Sequence, residues 1–238
     1  MCAFVLVHSP LVGPLTWSFV ADKLRRRGFE ARVPLLDQRE DSPEPYWRQH
    51  ARSVAESCLE APTDQELILV AHSGAGPLLP AIRETLGRRV AAYVFVDAGL
   101  PTDGVARLDQ GGFGTYVREL YARGERFPNW TDAELRDVVP DPRARRAVLA
   151  ELRPQPLAFW EEIIPVFPGW PDAPCGYLQF SAAYEQPGAE ARRRGWAYRK
   201  MPAGHFHMLV DPAAVTTILL ELLGIASGTA PAAPYQAP

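Results

Sequence analysis

Cysteine is scarce in this 238-residue chain: Cys2, Cys58 and Cys175 are the only three, far apart and without metal-ligand spacing. An odd, dispersed set argues against a disulfide framework and against a zinc site, and it fits a reducing compartment. A broad basic face is also missing. The formal net charge is -3 at pH 7, with Arg and acidic residues interspersed rather than blocked, so nucleic acid is not an expected partner. No apolar run approaches the roughly 18 residues that span a bilayer, and the chain opens directly into Ala3 to Val7 with no basic leader. Together these features predict a soluble, cytoplasmic protein with no membrane partner. No internal repeat is visible.

The 47% hydrophobic content is enough to bury one sizeable core, so a single domain over 1–238 is expected. Short apolar runs bounded by turn residues occur at 3–7, 29–33, 67–71, 90–96, 176–180 and 196–201. They read as strands of a mostly parallel sheet buried on both faces at its centre. Segments with helical spacing lie between them, at 14–27, 45–60, 75–86, 187–194 and 212–224. Alternation of this kind predicts an α/β fold with a doubly wound sheet. It breaks at about 101–173, where short helical pieces, prolines and aromatics replace strands, and this stretch reads as a helical lid inserted after the fourth strand. Among its aromatics are Phe113, Tyr116, Tyr121, Phe127, Trp130, Phe159, Trp160, Phe167 and Trp170. Most are expected to pack the small helices and a minority to line an apolar pocket. The Ala- and Pro-rich segment 226–238 reads as a disordered tail.

One turn carries a chemical signal. Between the strand ending at Ala71 and the helix that follows stands Ala71-His72-Ser73-Gly74-Ala75-Gly76. A serine flanked by small residues in a strand-to-helix turn is held in a tight conformation, with its hydroxyl at the carboxyl end of the sheet beside a helix N-terminus. The pattern is close to G-x-S-x-G with alanine, at Ala71 and Ala75, in place of both outer glycines. It resembles the α/β-hydrolase superfamily, and the resemblance extends along nearly the whole chain. His8-Ser9-Pro10-Leu11-Val12-Gly13 followed by Trp17 looks like the segment that usually reads His-Gly-x. Val94-Phe95-Val96-Asp97 looks like the strand leading into the lid, and Gly204-His205-Phe206-His207 with Asp211-Pro212 looks like the histidine loop. The layout is nearest to small plant-type esterases, hydroxynitrile lyases and their bacterial relatives.

The resemblance implies Ser73 as nucleophile and His205 as base, with His207 the next candidate. It implies no cofactor and no metal. His72 and His8 are expected to be structural, and His50 to sit on a solvated helix face. The triad acid is expected at Asp97, at the end of the fourth strand, with Glu185, the first carboxylate after the fifth, as the alternative. The oxyanion and substrate-binding set comprises Gly74, Ser9, Pro10, Leu11 and Trp17. The amide of Gly74 supplies one donor, but the second falls on Pro10, which has no N–H, so Leu11 or the Ser9 hydroxyl must substitute.

The leading expectation is a serine hydrolase that cleaves a small, largely apolar carboxylic ester, thioester or lactone through an acyl-enzyme. An alternative keeps the fold but uses the pocket for a lyase, an isomerase or another biosynthetic step, or for ligand binding alone. A nucleotide-binding oxidoreductase fits less well, because Leu79 stands where the third glycine of the dinucleotide fingerprint would fall.

Overall fold

The structure, a computed structural model, describes residues 2–109 and 113–225; the segment read as a tail, 226–238, lies outside them. Six parallel strands form one sheet in the order β2-β1-β3-β4-β5-β6. The strands are β1 (Ala3–Val7), β2 (Glu30–Arg32), β3 (Leu67–His72), β4 (Val90–Val96), β5 (Cys175–Gln179) and β6 (Ala197–Lys200). The helices are α1 (Leu15–Arg26), α2 (Tyr46–Ser57), α3 (Leu79–Leu86), α4 (Phe113–Ala122), α5 (Asp132–Leu135), α6 (Pro142–Ala150), α7 (Leu157–Glu161), α8 (Glu185–Arg193), α9 (His207–Val210) and α10 (Pro212–Leu222). All six expected strands are present, each within a residue or two of its apolar run.

Strand alternation divides the core between the two faces of the sheet. Val5, Val7, Leu67, Leu69, Tyr93 and Phe95 face one side with Val54 of α2 and Ile82 of α3. Phe4, Leu6, Ile68, Val70, Val94 and Val96 face the other with Trp17 and Val20 of α1 and Leu219 of α10. Because β1 and β3 are covered on both faces, their sequences read as unbroken apolar runs.

The helix expected over 75–86 begins differently. Ser73–Leu78 winds as a 3-10 helix and α3 starts only at Leu79. Pro77 lies inside the tighter segment, where its missing N–H removes one donor from the ladder. At the other end of the chain Pro212 occupies the first turn of α10, and the Asp211 carboxylate accepts from the Ala214 amide at 2.9 Å, which sets where that helix begins.

Among the described residues between β4 and β5 the chain forms four short helices, α4 to α7, and one isolated bridge, which joins Ala106 to Ile163. This insertion has its own small core, in which Val117, Leu120, Phe127, Phe159 and Trp160 pack with Leu11 and Tyr46. No helix among the described residues is long and apolar enough to cross a membrane.

Candidate active site

The turn after β3 is built by close backbone approach. Ser73 has φ 57°, the left-handed region, and is buried. A side chain at Gly76 would bring its Cβ to 2.0 Å from the carbonyl oxygen of Gly99, and one at Gly74 would come within 3.2 Å of Ser9 Oγ. The Gly99 amide donates to the Ser73 carbonyl at 3.2 Å, which ties this turn to the end of β4. Only small residues fit here, and the forced conformation lifts the Ser73 hydroxyl off the sheet.

Asp97 follows β4 directly, also at positive φ (42°), and is fully buried. Its Oδ1 accepts from the amides of Phe180 and Ser181, each at 2.9 Å, and its Oδ2 accepts from Ser181 Oγ at 2.7 Å. Oδ2 also lies 2.7 Å from His205 Nδ1, while His205 Nε2 lies 3.0 Å from Ser73 Oγ. A carboxylate only accepts, so His205 Nδ1 carries the proton and donates to Asp97. Nε2 then accepts from the Ser73 hydroxyl, and that hydroxyl oxygen in turn accepts from Tyr184 Oη at 3.0 Å. Four side chains from the ends of three strands and the loop after β6 thus share one chain of hydrogen bonds.

Tyr184 has no counterpart among the residues expected from the sequence. Its ring stacks on the His205 imidazole, with centroids 5.1 Å apart and planes 6° from parallel, and burial pushes its phenol up to about 12. It lies one residue before Glu185, in the loop where the acid was sought. A tyrosine in a loop has no periodicity to mark it.

Glu185 itself is corrected by the structure. Its carboxylate accepts from Lys200 Nζ at 2.7 Å, from Gln179 Nε2 at 2.8 Å and from Arg192, at the surface. The Lys200 hydrogen bond, followed by those from Gln179 and Arg192, holds it down to about 2. It does not touch His205.

The loop after β1 also departs in part from expectation. Gly74, Pro10 and Leu11 line the cavity in front of Ser73. Trp17 does not: it is fully buried against the sheet, donates from Nε1 to the Val7 carbonyl at 3.1 Å and packs edge-on to His72. Its position in the first turns of α1 points it inward rather than toward the loop. Ser9 is buried behind the cavity wall, and its Oγ accepts from the Leu11 amide at 3.4 Å. The Gly74 amide, in the first turn of the 3-10 helix, has no intrahelical acceptor. Residues of the insertion hold the loop in place: Gln155 Nε2 donates to the Pro10 carbonyl at 2.7 Å, and the Arg153 amide donates to the Leu11 carbonyl at 3.0 Å.

The other histidines lie outside the cavity. His72 Nε2 donates to the His205 carbonyl at 3.0 Å, and burial keeps the ring neutral. His8 Nδ1 donates to the Ser9 carbonyl, Nε2 accepts from the Leu36 amide, and burial lowers it to about 4. His207 packs against Phe180. His50 is not on a solvated face, as the sequence suggested, but fully buried. With Tyr46 and Val54 it forms an i, i+4, i+8 stripe on the inner side of α2, a spacing that was available in the sequence.

The cavity has a volume of about 1410 Å³ and reaches from Ser73 and His205 up between the helices of the insertion. Phe113, Tyr116, Phe127, Trp130, Phe159 and Trp160 all line it, so most of the insertion's aromatics face the site rather than a minority. Among the described residues no group of three or more His, Cys, Asp or Glu side chains is placed to hold a metal ion.

The chain is 27% identical over 258 residues to the carbendazim-hydrolyzing esterase of Nocardioides sp. (strain SG-4G), with 93% of this chain and 100% of that protein aligned. In fold it is similar to an extracellular alpha/beta-hydrolase from a Paenibacillus species, with a TM-score of 0.75 at 19% identity over 93% of this chain and 99% of the other. It is likewise similar to polyneuridine aldehyde esterase, with a TM-score of 0.71 at 18% identity over 93% and 99%. The model of the alpha/beta hydrolase family matches residues 4–218, and the chain therefore belongs to that family of hydrolytic enzymes.

Proposed function

We propose that the protein is a serine esterase in which Ser73 is the nucleophile, His205 the general base and acid, and Asp97 the group that orients and stabilises the histidine. The observation that carries this reading is the unbroken line from Ser73 Oγ to His205 Nε2 at 3.0 Å and from His205 Nδ1 to Asp97 Oδ2 at 2.7 Å. Ser73 Oγ attacks the ester carbonyl while its proton passes to Nε2, and buried Asp97 stabilises the imidazolium that forms. Collapse of the tetrahedral intermediate expels the alkoxide, which takes the proton from Nε2. Water then gives a proton to the same nitrogen and attacks the acyl-enzyme, releasing the acid and restoring the Ser73 hydroxyl.

The developing oxyanion needs donors at the carbonyl oxygen. Gly74 N–H is one. Tyr184 Oη, already a donor to Ser73 Oγ, lies close enough to reach an oxygen on the carbon that Oγ attacks, and it offsets the N–H that Pro10 lacks. The aromatic walls favour a small, largely apolar acyl or alcohol group, and the helical insertion acts as the lid that keeps bulk water from the acyl-enzyme.

The test is turnover of p-nitrophenyl esters from acetate to octanoate, together with labelling of Ser73 by a fluorophosphonate. Activity and labelling in the wild type are expected, with both lost in Ser73→Ala. Tyr184→Phe should lower turnover by about 10- to 1,000-fold while labelling persists. A wild type that neither labels nor turns over any ester sinks the reading. A second reading is then favoured by Pro10 and by the Leu11 amide being turned to Ser9: the same pocket serving non-hydrolytic proton transfer or ligand binding.

A further inference from the structure

Six charged side chains line the cavity: Arg107, Asp109, Glu134, Glu190, Arg194 and Lys200. Five have partners. Asp109 pairs with Arg118, Glu134 bonds Thr131, Glu190 pairs with Arg194, and Lys200 pairs with Glu185. Arg107 differs. It opens the 3-10 turn Arg107–Asp109, where its amide donates to the Glu162 carbonyl at 3.1 Å, and its guanidinium lies over the face of Phe159, 4.3 Å from the ring centroid. Nε and Nη2 are buried without a hydrogen-bond partner among the described residues, which leaves Nη1 as the nitrogen able to meet a ligand in the cavity.

Among the described residues no carboxylate forms an ion pair with this cation. Glu162, the acidic side chain whose charge acts on it, accepts from the amides of Tyr46 and Trp47 at the start of α2. His50, edge-on to the same Phe159 ring, also has a buried nitrogen, Nδ1, without a partner among the described residues. Burial pulls the guanidinium down to about 10, still above any working pH, so the charge persists. A largely desolvated cation whose neighbouring carboxylate is spent on backbone amides keeps hydrogen-bonding capacity that a further anion can use. A guanidinium stacked on an aromatic ring, with Nη1 left free to donate into a cavity with several aromatic walls, can donate a charge-assisted hydrogen bond to an anion there.

We propose that Arg107 anchors a carboxylate on the substrate, remote from the bond that Ser73 attacks, so that the preferred ester is a half-ester of a dicarboxylic acid or a comparable carboxylate-bearing ester. This inference rests on the esterase reading for the reaction, though not for the binding. It narrows the apolar substrate class: aromatic walls hold the hydrocarbon part and one cation fixes its far end.

The first measurement compares mono-p-nitrophenyl glutarate and adipate with p-nitrophenyl valerate and hexanoate. The wild type should favour the anionic member of each pair by tenfold or more in kcat/KM, a ratio that Arg107→Met should lower by about 10- to 100-fold and Arg107→Lys should partly restore. The second does not depend on turnover. Monomethyl adipate should raise the melting temperature of the wild type more than dimethyl adipate does, and Arg107→Met should remove the difference. Equal ratios in wild type and Arg107→Met, or equal thermal shifts from the two adipates in the wild type, overturn the proposal. Should Arg107→Met fail to fold, the adipate comparison in the wild type and Arg107→Lys still decides it. Absence of all turnover and of fluorophosphonate labelling, with the adipate difference intact, removes the esterase reading and leaves the anion site standing.

Discussion

The two ends of the cavity are built on opposite principles. At the floor, Ser73, Asp97 and His205 project from turns fixed by strand ends and close backbone contacts, and every polar atom of the Asp97 carboxylate has a partner. At the roof, short helices of four to ten residues carry aromatics that pack on one another, and Nε and Nη2 of Arg107 have no hydrogen-bond partner among the described residues. A floor of this kind fixes reacting atoms to within fractions of an ångström, which chemistry requires. A roof of interdigitating side chains can be re-cut residue by residue, and that is where selectivity can change without moving the reacting groups.

The sharpest way to break this comparison is Asp97→Asn. With the tautomer of His205 no longer enforced, ester turnover should fall about 10,000-fold. Steady-state kinetics checks it, with fluorophosphonate labelling slowed in parallel, and a loss under tenfold would show that the floor does not depend on this carboxylate.

Acidification tests the floor's supports as a group. His8 is buried and neutral, lowered to about 4 chiefly by desolvation, and His50 and His72 are lowered for the same reason. Unfolded, a histidine takes up its proton near pH 6.5, so between 6.5 and 4 the unfolded chain binds more protons and stability falls as pH falls. His8 by itself should cost about 2 kcal/mol at pH 5 relative to pH 7. Thermal melts across that window should fall steadily, and a flat profile would contradict it.

At the roof, Phe127→Ala should shift the octanoate-to-acetate ratio of kcat/KM by about tenfold, the worth of a methylene or two in an apolar pocket. Such a shift in selectivity, set beside the Asp97→Asn collapse in rate, would sharpen the division between roof and floor. The smallest effect is expected from Glu185→Gln: its charged partners Lys200 and Arg192 are exposed and it does not touch the triad, so turnover should stay within about threefold of wild type, as exposed ion pairs contribute little. A collapse there would return Glu185 to the site.

Sequence patterning and turn chemistry made much of this protein legible. The apolar runs located the four central strands because a strand covered on both faces has few polar residues to interrupt it, while the edge strands β2 and β6 are partly exposed and carry charged residues. The small residues around Ser73 marked the turn, since no side chain fits at Gly76 against Gly99. The sequence favours Asp97 over Glu185 without excluding Glu185. Both follow strands, and what distinguishes them is the direction that the positive φ of Asp97 gives its carboxylate, a property of three-dimensional backbone geometry. Tyr184, Arg107 and Trp17 were misjudged or missed for a related reason. Each is an ordinary residue type in an ordinary stretch of chain, and only the meeting of segments distant in sequence decides whether it faces a cavity, a ring or the core. Local pattern reports how a segment is covered, whereas a site depends on which segments converge, and that was decided by the tertiary structure alone.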